Sequence, residues 1–207
     1  MPAAEVRGEG IFLHLRDDRL NKWLDDEAIQ ARAREFYAAH RGWRKARSIP
    51  DVDAGFPGMR YILLHSFAHA LMRQLALYSG YGAASIRERI YASDGSDGEP
   101  AMAGVLLYTA APDSEGTLGG LVALGEPDRL QRILRESIAA VRLCASDPLC
   151  AEHEPVGDGV TLHGAACHAC LFASETSCER GNKYLDRTLL AQTFSHSWPA
   201  FFSDVAK

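Results

Sequence analysis

The residues best suited to chemistry in this sequence are five cysteines, all of which lie between positions 144 and 178. Cys167 and Cys170 form a C-x-x-C knuckle, a spacing that lets two thiolates reach one metal ion at about 2.3 Å. A lone pair of this kind could be a redox couple, but three further cysteines in the same stretch favour a tetrahedral metal site. The sequence therefore predicts a bound zinc ion, Zn2+.

The choice of four ligands among five cysteines follows from how zinc ribbons are built. Two pairs that flank a loop are the usual arrangement. The ligands favoured on this ground are Cys144, Cys150, Cys167 and Cys170. Cys178 in place of Cys144 is the close rival, and whichever is left over should be replaceable at little cost. His163 and His168 are expected to be neighbours of the metal, and the absence of an H-E-x-x-H motif favours a closed structural site.

A second candidate is a pair of histidines, His65 and His69, spaced i and i+4 in an apolar stretch. This spacing lets both imidazoles face one metal ion or phosphate. Because no glutamate stands beside them in the sequence, we favour two hydrogen-bonded histidines that bridge a helix to a neighbouring strand. The alternative function, a small metal-dependent hydrolase acting on nucleic acid, would use both histidines and Glu115.

A basic segment with an aromatic ring is the candidate contact for nucleic acid, because cations suit phosphate and a ring can stack on a base. Its residues are Arg41, Trp43, Arg44, Lys45 and Arg47. A solvated loop is the equally weighted interpretation. Three glycines in the stretch 108–121 could form a phosphate-binding turn, but a structural turn is the preferred interpretation. No G-x-x-x-x-G-K-[ST] motif is present, so a nucleoside triphosphate site is not expected.

These residues need elements to position them, and hydrophobic periodicity predicts helices and short strands. The predicted strands are 11–15 and 105–109, and the predicted helices are 20–40 with a break near Asp25, 60–78, a short piece at 86–91, 128–143 and 182–193. The loop 49–58, rich in proline and glycine, is the best boundary. We predict an α/β fold, a small sheet packed by helices with a C-terminal four-cysteine zinc lobe, divided into 1–55, 56–143 and 144–207.

Composition excludes several classes of protein. The net charge of −5 over 207 residues argues against a protein that coats nucleic acid by bulk electrostatics. No apolar run approaches the roughly 20 residues of a spanning helix, so no membrane partner is expected. The first ten residues lack the basic and apolar pattern of a secretory signal, which predicts a cytoplasmic protein in which five cysteines serve metal binding rather than disulfides.

Several stretches of this sequence resemble a known family. They read, in order, "HSFAHAL", "SGYGAASIRERIYA", "GVLLYTAAPDSEGTLGGL", "CASDPLC" and "GAACHACLFASETSCERGNKYLDR". Together they resemble the domain of unknown function 1998, found at or near the C-terminus of superfamily-2 helicase-like proteins and in DrmB proteins of the DISARM anti-phage system. The resemblance runs from Val6 to Arg187, and its tail is especially similar to the DrmB members.

The resemblance implies a four-cysteine zinc domain of the kind that MrfA-type helicases carry attached to a motor. This sequence contains no helicase motifs, which implies either a small stand-alone member or the C-terminal part of a longer protein. The implied partners are a DrmA-like helicase subunit and, through that complex, DNA. We therefore expect an accessory module of anti-phage defence or DNA processing rather than a free-standing enzyme.

Overall fold

The computed structural model gives the arrangement of most of the chain. It describes residues 8–82, 84–96, 98, 100–109, 120–155, 160–194, 196 and 198–205. The elements are β1 (Gly10–His14), α1 (Asp17–Leu24), α2 (Glu27–Ala46), α3 (Gly58–Ser79), β2 (Ile86–Ser93), β3 (Met102–Thr109), α4 (Gly120–Leu124), α5 (Pro127–Ala140) and the 3-10 turns Pro148–Glu152 and Arg187–Leu189. Most of the predicted glycine-containing turn and the candidate Glu115 lie outside the described residues.

The three strands form one antiparallel sheet in the order β1-β3-β2. In the central strand, Leu107 faces Ile11 of β1, and Val105 faces Ile90 of β2. These four side chains are buried, and α3 packs across β2 and β3. The fold prediction of helices packed on a small sheet is confirmed.

The helix α3 is the centre of the molecule. Fifteen of its 22 residues are buried, as expected for a helix that is apolar around its whole circumference. It ends at Gly80, whose φ of 74° is the left-handed conformation that glycine adopts without strain. The predicted helix 60–78 and its glycine stop are confirmed, and polar side chains that α3 carries are thereby placed inside the protein.

The predicted break near Asp25 is also confirmed, because α1 ends at Leu24 and α2 begins at Glu27. Asp26 caps α2, and its side chain accepts a hydrogen bond from the amide of Ala28 at 2.9 Å. The predicted helix 128–143 corresponds to α5, which has Pro127 in its first turn.

Two predicted helices are wrong. The stretch 86–91 is the strand β2, in which Ile86, Glu88 and Ile90 face inward and the arginines between them face outward. The inward charge of Glu88 concealed this period of two. The stretch 182–193 is turns and one 3-10 turn rather than an α-helix, because its backbone pairs with another segment: the Tyr184 amide donates to the Leu162 carbonyl at 2.7 Å.

An ion pair joins α2 to the C-terminal region. Arg32 donates two hydrogen bonds to Asp186, at 3.0 and 2.7 Å, and neither side chain is exposed. The same guanidinium contacts Glu35 and Glu154.

One buried apolar cluster includes side chains from all three predicted segments. The division of the chain at 55 and 143 stays a prediction. Across the described ranges, none of the helices has the length and hydropathy needed to cross a bilayer.

Candidate metal centre

The structure brings together the four cysteines that the spacing favoured, here called the thiolate cluster: Cys144, Cys150, Cys167 and Cys170. They come from three places: Cys144 follows α5, Cys150 lies in the 3-10 turn Pro148–Glu152, and the C-x-x-C pair forms a tight turn. All four sulfur atoms lie within 4.8 Å of one another. The predicted set is therefore spatially one group, and the rival set with Cys178 is not.

The separations between sulfurs fit a metal site better than disulfides. The closest pairs are Cys144 with Cys167 at 3.5 Å, Cys150 with Cys170 at 3.6 Å, and Cys167 with Cys170 at 3.6 Å. A disulfide bond is about 2.05 Å long. Four thiolates at about 2.3 Å from one zinc ion are separated by about 3.8 Å along each edge of the tetrahedron. The cluster has nearly these dimensions.

Charge in this cluster favours a thiolate at Cys150, whereas burial raises the pKa of the Cys167 thiol and the hydrogen bond with Cys150 raises the pKa of the Cys170 thiol. The amide of Cys167 donates to the sulfur of Cys170 at 3.2 Å, so a backbone hydrogen bond also reaches this sulfur. A hydrogen bond from the Cys170 thiol, together with the buried Arg187 guanidinium, lowers the pKa of Cys150 to about 5. Arg187 is itself held by the carbonyls of Val141 and Arg142, so one fixed positive charge faces the sulfurs.

The two nearby histidines stand beside the thiolate cluster and contribute no atom to it. His163 donates from Nδ1 to the Gly164 carbonyl and stacks on His153, with ring centroids 4.5 Å apart. His168 is exposed within the knuckle and packs edge-on against Phe172. With four sulfurs already present, no open position is left for a substrate or a catalytic water.

The fifth cysteine belongs to a different group, here called the mixed cluster: His65, His69, Glu88 and Cys178. Cys178 lies 3.1 Å from the Nε2 atom of His65, and all four members are buried. Cys178 thus has buried partners of its own, which argues against the expectation that the leftover cysteine can be replaced at little cost. Both histidines face Glu88 of the neighbouring strand, at 3.0 and 3.4 Å, so the bridge from helix to strand is present, and the choice between hydrogen bonds alone and a shared metal ion stays a prediction.

Charge is concentrated in the mixed cluster. Burial disfavours an ionised thiol, yet the hydrogen bond from His65 and the adjacent His69 imidazole hold the pKa of Cys178 at about 6. Burial also opposes protonation of His65, but the charge of Glu88 raises the pKa of His65 to about 10. Although burial favours the neutral acid, the two imidazoles hold the pKa of the Glu88 carboxyl well below its usual range.

Sequence reasoning missed Glu88 because it sought an acid beside the histidines along the chain. The acid lies 3.0 Å from His65 in space, but it belongs to β2, a stretch that the sequence pattern predicts as helix. The signal that could have found Glu88 is the alternation of a strand, in which Glu88 takes the inward position between Ile86 and Ile90. A buried carboxylate of this kind requires a partner.

The basic segment forms the last turns of α2 and leads into the loop after it, so it is mostly helix rather than loop. Arg41 pairs with Asp53 at 2.9 Å, and Arg44 donates to the backbone carbonyls of Pro50 and Asp51, both at 3.0 Å. The guanidinium of Arg47 lies 4.2 Å from the centroid of the Trp43 ring, and Lys183 approaches the same ring at 5.1 Å. Lys45 is exposed. Part of the segment therefore stabilises its own loop.

Comparison with known proteins gives two findings. The family model described as the MrfA Zn-binding domain matches residues 67–171 of this chain. A protein of Bacillus paralicheniformis described as DISARM protein DrmB is 40% identical over 203 residues, covering 98% of this chain and 35% of the relative. The chain thus spans about a third of that relative's length. The matched range 67–171 includes the whole thiolate cluster and excludes His65 and Cys178.

Proposed function

Because this chain belongs to the family of MrfA zinc-binding domains, we propose that it is the zinc-binding accessory module of a helicase-containing assembly. The observation that carries this proposal is the thiolate cluster, whose four sulfurs lie within the matched range and within 4.8 Å of one another. Four thiolates suit Zn2+, because this ion is borderline-soft and is bound tetrahedrally in structural sites.

The proposed role of this zinc is structural. Four sulfur ligands close the coordination sphere, so the ion stabilises the turns that carry them and activates no water. Three of the four cysteines are also part of the hydrophobic core, and the free energy of binding the metal is then largely free energy of folding. The chain would then act in its assembly through a folded surface that binds its partners.

The zinc content of the purified chain tests this role. We expect the thiolate cluster to hold one ion, and Cys167→Ser or Cys170→Ser to lose that ion and become sensitive to protease. His168→Ala is the matched control, because His168 lies in the same knuckle but is exposed. A double cysteine variant that stays soluble and folded without the thiolate-cluster ion would overturn the proposal.

We infer that the partner is a DrmA-like helicase subunit of a DISARM-like defence system or a related DNA-processing complex. The support is the 40% identity to a protein described as DISARM protein DrmB. A cytoplasmic location is part of the same proposal. With a net charge of −5, the chain alone should bind DNA weakly, and the helicase would supply the missing positive charge.

Association can be tested by mixing the purified chain with a DrmA-like helicase and measuring DNA affinity as a function of salt. We expect tighter binding with the helicase present than with either protein alone. No complex in size-exclusion chromatography, and no gain in affinity, would argue against the partner.

A small hydrolase that uses His65 and His69 is the alternative function. Both imidazoles are completely buried, so neither a substrate phosphate nor exchanging water reaches them. The measurement that separates the two functions is nuclease activity of the isolated chain. We expect none above that of His65→Ala and His69→Ala, and activity that these folded variants abolish would favour the hydrolase.

A further inference from the structure

The mixed cluster consists of acceptor atoms that converge on one point. His65 donates from Nδ1 to the Tyr184 carbonyl at 3.2 Å, and His69 donates from Nδ1 to the Leu171 carbonyl at 2.7 Å. A carbonyl oxygen can only accept, so both Nδ1 atoms carry the hydrogen. In each neutral imidazole the Nε2 atom therefore presents a lone pair toward Glu88 and Cys178.

Hydrogen bonding within the described chain leaves this group incompletely satisfied. Nε2 of His69 and Oε2 of Glu88 are buried, and neither has a hydrogen-bond partner among the described residues. The sulfur of Cys178 already accepts from the amides of Arg180 and Asn182, at 3.4 and 3.2 Å. Buried polar atoms are normally paired, so an arrangement of facing acceptors calls for a cation between them.

We propose that the mixed cluster binds a second zinc ion, in a closed site of two imidazoles, one thiolate and one carboxylate. This goes beyond the proposed function, which depends on the thiolate cluster alone. The donor set is suited to zinc, which takes nitrogen, sulfur and oxygen ligands, and is unsuited to magnesium or calcium, which prefer oxygen.

The cluster is close to the size that a tetrahedral ion needs, with two of its edges a few tenths of an ångström shorter. Ligand atoms at about 2.0 to 2.3 Å from zinc are separated from one another by about 3.3 to 3.8 Å. The structure places Nε2 of His65 at 3.1 Å from the Cys178 sulfur and at 3.0 Å from Glu88. His69 lies 3.4 Å from Glu88, and all four ligand atoms are within 4.8 Å of one another.

Charge balance also favours a divalent cation. Two neutral imidazoles, one thiolate and one carboxylate carry two negative charges, which a zinc ion cancels. A neutral group is far less costly to bury than a charged one, and the side chains of His65, His69 and Glu88 have no exposed surface.

The surrounding backbone has the features of an outer shell around a metal. Ligating histidines usually donate their second ring nitrogen to a carbonyl, which fixes the tautomer, and both histidines do so here. The carboxylate of Glu88 accepts from the amide of Glu179 at 3.2 Å, and the backbone amide of Glu88 donates to the Ser177 carbonyl at 3.2 Å. The segment that carries Cys178 is thus fixed against β2.

A metal-free ionic network is the competing description. In it, two protons would replace the cation and both histidines would be imidazolium ions, paired with Glu88 and the Cys178 thiolate. The two descriptions differ in metal content and in the atoms bonded to the metal, so they can be separated without any substitution.

X-ray absorption at the zinc edge and elemental analysis of the unsubstituted 207-residue chain provide that test. We expect two zinc ions per chain, with an average first shell of about 2.5 sulfurs and 1.5 nitrogen or oxygen atoms. One zinc with four sulfurs would overturn the second site while leaving the thiolate cluster and the proposed function intact. Zinc absent altogether would overturn both.

Substitutions locate the second ion. Cys178→Ala and His69→Asn should each reduce the content from two zinc ions to one, leaving a shell of four sulfurs. His40→Asn is the matched control, because His40 is also a buried histidine but bonds Tyr184 and Ala54 instead. It should keep both ions. If Cys178→Ala folds and keeps two ions, the assignment is wrong, and if it fails to fold, the wild-type spectrum decides.

Discussion

The carboxylate of Asp186 shows how one residue links two parts of the chain. It accepts from Arg32 and from the amide and hydroxyl of Thr188, at 3.0 and 2.5 Å, and it is fully buried. Gly164 approaches so closely that an added Cβ would lie 2.5 Å from this carboxylate. The site is thus packed around an ion pair that excludes water.

Replacing Arg32 by methionine should reduce the free energy of unfolding by about 3–5 kcal/mol, because the change leaves Asp186 buried without its cation. Chemical denaturation followed by circular dichroism measures this loss. Arg34→Met is the matched control, since Arg34 is exposed on the same helix, and it should change stability by less than about 0.5 kcal/mol. Equal effects from both substitutions would contradict the assigned role of the ion pair.

The residues that could be predicted from the sequence are those whose partners follow a spacing rule. Cys167 and Cys170 satisfy a local rule, and their two upstream partners follow from zinc-ribbon architecture. Glu88 and Cys178 meet His65 only through the tertiary fold, so no local rule predicts their contact. The same holds for Arg32 and Asp186, which are 154 positions apart.

Among the elements, α2 has two roles at its C-terminal end. Arg44 holds the following loop through two carbonyls, while Lys45 is exposed on the same turn. A triple substitution of Arg44, Lys45 and Arg47 would therefore mix a loss of stability with a loss of charge.

The cleaner test of the proposed DNA contact is Lys45→Ala alone. With the helicase present, DNA affinity should fall and the slope of log affinity against log salt should decrease by about 0.9, the value for one lost phosphate contact. Titrations at several salt concentrations measure both quantities. Lys22→Ala, an exposed lysine on α1, should change neither, and identical slopes for the two variants would remove Lys45 from the interface.

Helices and strands can be predicted from the sequence where a single hydrophobic periodicity dominates the segment. α3 has long apolar rows and a glycine stop, and α5 has a proline at its start, so their sequences specify them locally. β2 carries an inward glutamate that suits a strand only because two histidines face it. The segment after Asn182 has helical composition, but its amides bond to the 162–165 segment, and this tertiary pairing outweighs helix propensity.

For the whole molecule, removal of metal should cause cooperative unfolding rather than local loosening. Cys144, Cys150 and Cys170 lie in the same apolar cluster as the side chains of α3, so repulsion among bare thiolates would disrupt the common core. Incubation with EDTA should abolish the near-ultraviolet circular dichroism and lower the melting temperature. EDTA saturated with zinc is the control, and an unchanged melting curve for demonstrably metal-free protein would refute this prediction.

The isolated chain should not hydrolyse ATP. Its 207 residues contain no phosphate-cradling loop with the lysine and hydroxyl that nucleoside triphosphate sites use. Phosphate release should equal the buffer control for the chain alone and should appear only with a helicase partner. Turnover by the isolated chain that a substitution in the 113–121 stretch abolishes would contradict this expectation.

One contact makes the two metal clusters interdependent. The carbonyl that receives the Nδ1 hydrogen of His69 belongs to Leu171, the residue directly after Cys170, and the Leu171 amide bonds back to the Cys167 carbonyl. An ion on the thiolates therefore fixes the acceptor that sets the tautomer of His69. By thermodynamic linkage, if an ion at the thiolate cluster raises the zinc affinity of the mixed cluster, an ion at the mixed cluster raises that of the thiolate cluster by the same factor. Zinc uptake by the metal-free chain should accordingly be sigmoidal, with half-loaded chains rare.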